Sequence, residues 1–118
     1  MDAAKEHRFR LGRRFSLGRN KHFQYVYRRG KSFPGKLMVL VYLKARDVKV
    51  GFSVSAKVGN SVVRNRIRRC MREDFRMRRP FLAGGKYIFV ARGAAARASH
   101  PELTREMAYL LKKAGVIQ

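Results

Sequence analysis

Read as apolar and polar positions, the chain divides into a short series of elements. Phe23, Val26 and Tyr27 recur at i, i+3 and i+4. Asn20 stands before them as a capping residue, and Gly30, a residue able to take the left-handed conformation that often ends helices, follows, so the spacing predicts a helix over 20–30. An edge segment at Lys31 to Phe33 and a Pro34-Gly35 turn come next, then the apolar run "LMVLVYLK", read as a strand from about Leu37 to Lys44. Ala45 to Asp47 form a tight connection to "VKVGFSVS", which predicts a β-hairpin. In that second strand Val48, Val50, Phe52 and Val54 alternate with Lys49, Gly51, Ser53 and Ser55. One face is therefore core. The other is small and polar, either solvated or open to the close approach of a ligand's backbone.

After Gly59, a cap at Asn60 or Ser61 opens a longer helical pattern that runs to about Met77 and stops before Arg79-Pro80. "GGKYIFVARG" reads as a turn and a buried strand from Tyr87 to Arg92. Ser99 and Glu102 have capping-box spacing, with Pro101 in the first turn. Leu103, Met107, Leu110, Leu111 and Ala114 then give an apolar stripe as far as Gly115. Helix, strands, helix, strand, helix is the order of an α+β domain with a mixed sheet covered by helices. A helix between parallel neighbours is right-handed by default. The 118 residues suit one domain and one modest core.

Charge changes what the middle helix means. The chain has 29 Lys plus Arg against 7 Asp plus Glu, a formal net charge of +22 at pH 7 and a pI near 11.6. Such self-repulsion points to a polyanionic partner, nucleic acid first and an anionic membrane surface second. The longest apolar run, Leu37 to Leu43, is far short of the roughly 20 residues that cross a bilayer. Residues 1–19 read as a basic N-terminal arm, flexible until it docks. With no apolar signal-type stretch in it, an unprocessed, cytoplasmic chain is expected. A single cysteine, Cys70, excludes an internal disulfide and a multi-cysteine zinc site.

Within "KVGNSVVRNRIRRCMRE", Val63, Ile67, Cys70, Met71 and, just beyond it, Phe75 fall in an arc of roughly 140° at helical spacing. Arg64, Arg68, Arg72 and Arg76 follow one another at i, i+4 along the border of that arc, and Arg69 and Asn65 share the back. Only Glu73 can pair in sequence, with Arg69 or Arg76, so most of these arginines lack a local counter-charge. Phosphates suit them, and the helix N-terminus after "KVGN" adds free N–H groups and a positive dipole end. "AGGK", Ala83 to Lys86, is too short to be a phosphate loop.

The acidic residues show no pair with metal-ligand geometry. Histidines 7, 22 and 100 show no spacing for a general acid and base, and Cys70 sits in the apolar arc. Chemistry carried by the protein itself is not expected.

"VGFSVSAKVGNSVVRNRIRRCMREDFR", Val50 to Arg76, resembles the signature of the protein subunit of bacterial ribonuclease P, with its Arg-Asn-Arg core at Arg64, Asn65 and Arg66. The likeness extends through "HFQYVYRRGKSF" and "KYIFVARGAA". It implies a single αβββαβα domain of the α+β class, with a four-stranded mixed sheet and a left-handed βαβ crossover in place of the default. It also implies a catalytic RNA subunit as partner, which removes the 5′ leader of precursor tRNA with bound Mg2+, the metal held mainly by that RNA. The protein would bind the RNA and the leader and raise substrate and magnesium affinity, with no role for DNA or a membrane. Carried over residue by residue, the RNA-binding helix falls on Arg64, Asn65, Arg66, Arg68, Arg69 and Arg72. The leader-binding cleft falls on Phe23, Tyr27, Ser53, Ser55, Lys57 and Arg92. Ala56 stands where family members commonly carry the first of two lysines, and Val41 where an aromatic is frequent. A structural RNA-binding protein such as a ribosomal component, a free-standing nuclease and a membrane-active basic protein are the rival readings.

Overall fold

The computed structural model describes residues 12–18 and 20–118. In chain order the elements are α1 (Asn20–Arg29), β1 (Lys31–Pro34), β2 (Met38–Lys44), β3 (Val48–Ser53), α2 (Ser61–Arg78), β4 (Gly85–Ala91) and α3 (His100–Lys113). Short 3-10 turns lie at Arg13–Phe15, Arg79–Phe81 and Gly93–Arg97. Asn60 caps α2 by accepting the Val63 N–H at 3.0 Å, and Ser99 and Glu102 form the capping box at the start of α3.

The sheet order is β1-β2-β4-β3. β1 and β4 are antiparallel to β2, and β3 is parallel to β4. The hairpin expected between β2 and β3 does not form, because β4 lies between them. β2 and β4 are apolar on both faces, so each is most stable with a neighbour on both edges. Lys44 and Val48 both pair with Gly85, one from each side. Ala45–Asp47 therefore arches over the start of β4. The span is two strand spacings, about 9.6 Å, well within the roughly 13 Å reach of four extended Cα steps.

That arch explains the paired glycines. A Cβ on Gly84 would stand 2.4 Å from the Arg46 carbonyl oxygen and 2.6 Å from that of Ala45, and one on Gly85 would stand 2.3 Å from the Tyr42 ring. The Gly85 N–H donates to the Asp47 carbonyl at 3.2 Å. β4 consequently starts at Gly85, ahead of the expected Tyr87, and ends at Ala91 with Arg92 just beyond it.

Two cores follow from the two sheet faces. Met38, Leu40, Tyr87, Phe89 and Val50 pack with Ile67, Met71 and Phe75 of α2 and with Leu103, Met107, Leu110 and Leu111 of α3. The other face holds Val41 and Ile88 under Val26 of α1 and Leu17. Leu17 belongs to the basic N-terminal stretch yet is buried, its N–H donating to the Val50 carbonyl at 2.8 Å. Residues 1–11 and 19 of that arm lie outside the described residues.

α3 also fixes the turn between β1 and β2. The Glu106 carboxylate accepts backbone N–H bonds from Lys36 at 3.0 Å, Leu37 at 2.6 Å and Met38 at 2.7 Å. Nothing in the local sequence pattern signals that contact.

Candidate nucleic-acid interface

Gly51 leaves a gap on the α1 side of the sheet, and the ring of Phe23 fills it. Tyr27, one turn along α1, stands with its ring centroid 6.3 Å from that of Phe23, tilted by 52°. Between this aromatic flank and the edge of β3 runs an open cleft of about 480 Å³ lined by Asn20, Phe23, Tyr27, Phe52, Ser53, Val54 and Arg68. The fold thus brings together Phe23, Tyr27 and Ser53 from the expected cleft and adds Arg68 from the arginine helix.

Three other residues expected at the cleft are not among its lining. Ser55 and Lys57 are exposed in the turn after β3, where the Ser55 carbonyl accepts the Val58 N–H at 3.1 Å. Arg92, also exposed, donates from Nη1 to the Gly35 carbonyl at 2.9 Å.

The arginines of α2 are not equivalent. Arg66 is directed to the loop before α3, donating to the Ala96 and Ala98 carbonyls at 3.0 and 3.2 Å. Arg64 donates from Nε to the Gly59 carbonyl at 3.1 Å, which ties the helix to its own entry turn. Arg68 donates to the Asn65 side-chain oxygen at 3.1 Å, and the Arg72 guanidinium lies 6.0 Å from the Phe52 ring centroid. Arg69 is exposed. Arg76 forms an ion pair with Glu73, and that hydrogen bond holds the Glu73 carboxyl below its ordinary range.

The neighbouring acid does not neutralise this face, because Asp74 points inward. It is the buried charged side chain of the described core, accepting from His100 Nε2 at 3.0 Å and Thr104 Oγ1 at 2.9 Å. Sequence spacing gave no sign of this meeting between a histidine and a carboxylate. The signal for burial was nonetheless present, since position 74 falls inside the apolar arc of α2, and His100 and Thr104 lie one turn apart on α3. The cluster ties α2 to α3. Cys70 is buried as expected, and burial pushes its thiol pKa up, away from nucleophilic use.

None of the described helices is long and apolar enough to cross a membrane. A cationic helix face beside an aromatic-lined cleft, on a small α+β scaffold, is the surface of a nucleic-acid-binding protein. Comparison with known proteins narrows that class. The chain belongs to the ribonuclease P protein family, whose model, described as Ribonuclease P, matches residues 11–115.

The ribonuclease P protein component of Clostridium kluyveri is 42% identical over 107 residues, covering 86% of this chain and 96% of the relative. That of an Exiguobacterium species is 38% identical over 110 residues, covering 92% and 96%. Among solved structures, the RNase P protein of Staphylococcus aureus superposes with a TM-score of 0.83 at 28% identity, over 88% of this chain and 98% of that one. The RNase P protein of Thermotoga maritima shares the fold, with a TM-score of 0.71 at 24% identity over 88% and 96%. Membership makes this chain a subunit of the endoribonuclease that matures the 5′ end of tRNA, working with an RNA subunit.

Proposed function

We propose that this protein is the non-catalytic partner of a catalytic RNA. That RNA cuts the 5′ leader from precursor tRNA, while the protein holds the RNA by α2 and the leader in the cleft beside α1. The observation that carries the reading is the joining of the two surfaces at Arg68, which lies on the arginine helix and also lines the Phe23–Tyr27 cleft. A strand seated there would have aromatic rings for its bases and a guanidinium for its phosphates. Arg64, Asn65, Arg68, Arg69 and Arg72 would face the catalytic RNA, with Arg66 holding the helix in place. Ser55, Lys57 and Arg92 would meet the leader only where it extends past the cleft wall.

Four of the five described acids are committed to other work and the fifth, Asp47, stands exposed in the 45–47 arch, which supports assigning Mg2+ to the RNA. Glu73 pairs with Arg76, Asp74 is buried against α3, Glu102 caps α3 and Glu106 holds the 36–38 turn. A cytoplasmic site of action is consistent with a precursor tRNA substrate. Adding the protein to its cognate RNA is expected to lower both the substrate and the magnesium concentrations needed for cleavage. Unchanged requirements would defeat the proposal, and cleavage by the protein alone would favour a free-standing nuclease.

A further inference from the structure

α1 lies on the sheet as a ridge, and its two flanks differ. Phe23 and Tyr27 face the cleft. Tyr25 and Arg29, also one turn apart, lie about 200° around the helix from that pair, on the opposite flank. Tyr25 is 43% exposed. The Lys86 ammonium stands 5.2 Å from its ring centroid and the Arg29 guanidinium 5.8 Å. Lys86 is the in-register neighbour of Lys49 across β4 and β3, so two like charges sit side by side, a pairing that costs stability unless an anion answers it.

Among the described residues no carboxylate forms an ion pair with Arg29, Lys49 or Lys86. The Lys49 ammonium donates to the Arg14 carbonyl. This patch lies beside the 45–47 arch. The cleft lies at the other end of the same strands, where Ser53 pairs with Val90, about 13 Å away along β3.

We propose that this second flank is a further RNA site, holding the phosphates of the part of the precursor's 5′ leader that extends beyond the cleft. Arg29, Lys86 and Lys49 supply the charge, and Tyr25 keeps two of these cations in place. The leader is favoured over the RNA subunit by position. Of the arginines assigned to the subunit only Arg68 reaches the cleft, and all lie on α2, which packs on the opposite face of the sheet. The Tyr25 flank shares its sheet face with the cleft, separated from it by the width of one helix, roughly 10 Å. The inference rests on reading that cleft as the leader site.

The test uses holoenzyme reconstituted with Arg29→Ala/Lys86→Ala. Binding is measured for mature tRNA, for precursor with a leader just long enough to fill the cleft, and for precursor with a leader several times longer. Affinity for the long leader is expected to fall roughly tenfold, and its salt dependence to flatten by about two phosphate contacts. The other two RNAs should bind as before. Arg29→Ala alone, at an exposed helix end, should give a smaller loss with the same selectivity. Equal loss for all three RNAs, or loss for none, overturns the proposal. So does competition by an acidic peptide as strong as that by single-stranded RNA of matched charge. Phe23→Ala run in parallel should weaken both leader-bearing substrates, and its failure to do so would sink the cleft reading separately.

Discussion

The Phe23 ring stands where a side chain at Gly51 would begin. A Cβ there would come within 2.3 Å of the ring's Cζ. The small face of β3 is thus neither idle nor wholly open, since one aromatic covers Gly51 and the next residue on that face, Ser53, lines the cleft. Gly51→Ala should overpack this contact and cost about 1–3 kcal/mol, lowering the denaturation midpoint. In a Phe23→Ala background the same substitution should cost much less, because the clashing group is gone. A double-mutant cycle by chemical denaturation checks this, and strictly additive losses would show that the contact is not the cause.

Arg66 and Arg69 should separate folding from binding, although both belong to the same basic motif. Arg66→Ala leaves the Ala96 and Ala98 carbonyls without their guanidinium. The expected cost is roughly 1.5–3 kcal/mol of stability, as for hydrogen bonds to a charged group. Arg69→Ala, at an exposed position, should change stability by no more than about 0.5 kcal/mol. It should still weaken binding to the RNA subunit and reduce the salt slope by about one. Thermal melts and salt-dependent binding on the two variants decide the matter, and a melting temperature lowered equally in both would contradict the division.

α2 was readable in the sequence because its apolar arc, its Asn60 cap and its Arg79-Pro80 stop are all local signals. The β2–β3 connection misled because three residues between two apolar strands look like a hairpin turn. What removes the hairpin is β4, which arrives later in the chain and pairs with both strands. The glycines at 84 and 85 were visible, but their cause, the arch overhead, was not. The cleft was only half legible. Phe23, Tyr27 and Ser53 share it, whereas Ser55, Lys57 and Arg92 diverge because the chain turns at the end of β3 and Arg92 reaches for Gly35. Asp74 shows the other limit, since a polar residue inside an apolar arc predicts burial, while its partners came from a helix 26 or 30 residues away.

Glu106 should matter more than an ordinary acid on a surface helix. Its carboxylate accepts three consecutive backbone N–H groups of the turn into β2, and a Cβ on Gly35 would lie 2.8 Å from it. Glu106→Ala is expected to destabilise the fold by about 1.5–3 kcal/mol, with the amides of Leu37 and Met38 exchanging faster than those in the middle of β2. Glu106→Gln keeps one acceptor oxygen and should fall between wild type and Ala. Hydrogen exchange that stays slow at Leu37 and Met38 in the Ala variant would mean that the turn holds itself.

The acid limb of stability should carry the signature of the α3 cap. Hydrogen bonds from the Ser99 backbone and side chain hold the Glu102 carboxyl below its ordinary value of 4.5. A carboxyl depressed in the folded state is still ionised there when the unfolded chain begins to take up protons. Its contribution is therefore complete above about pH 4.5 and is lost as pH falls through the folded value. Glu102→Gln retains the box geometry but not the charge, which also favours the helix N-terminus. The variant should be less stable than wild type at neutral pH, and the two melting curves should converge in acid. Comparing the pair cancels the general loss caused by protonating other groups on a chain already at +22. A gap in melting temperature that stayed constant from neutral pH into strong acid would show that the charge on Glu102 does not contribute.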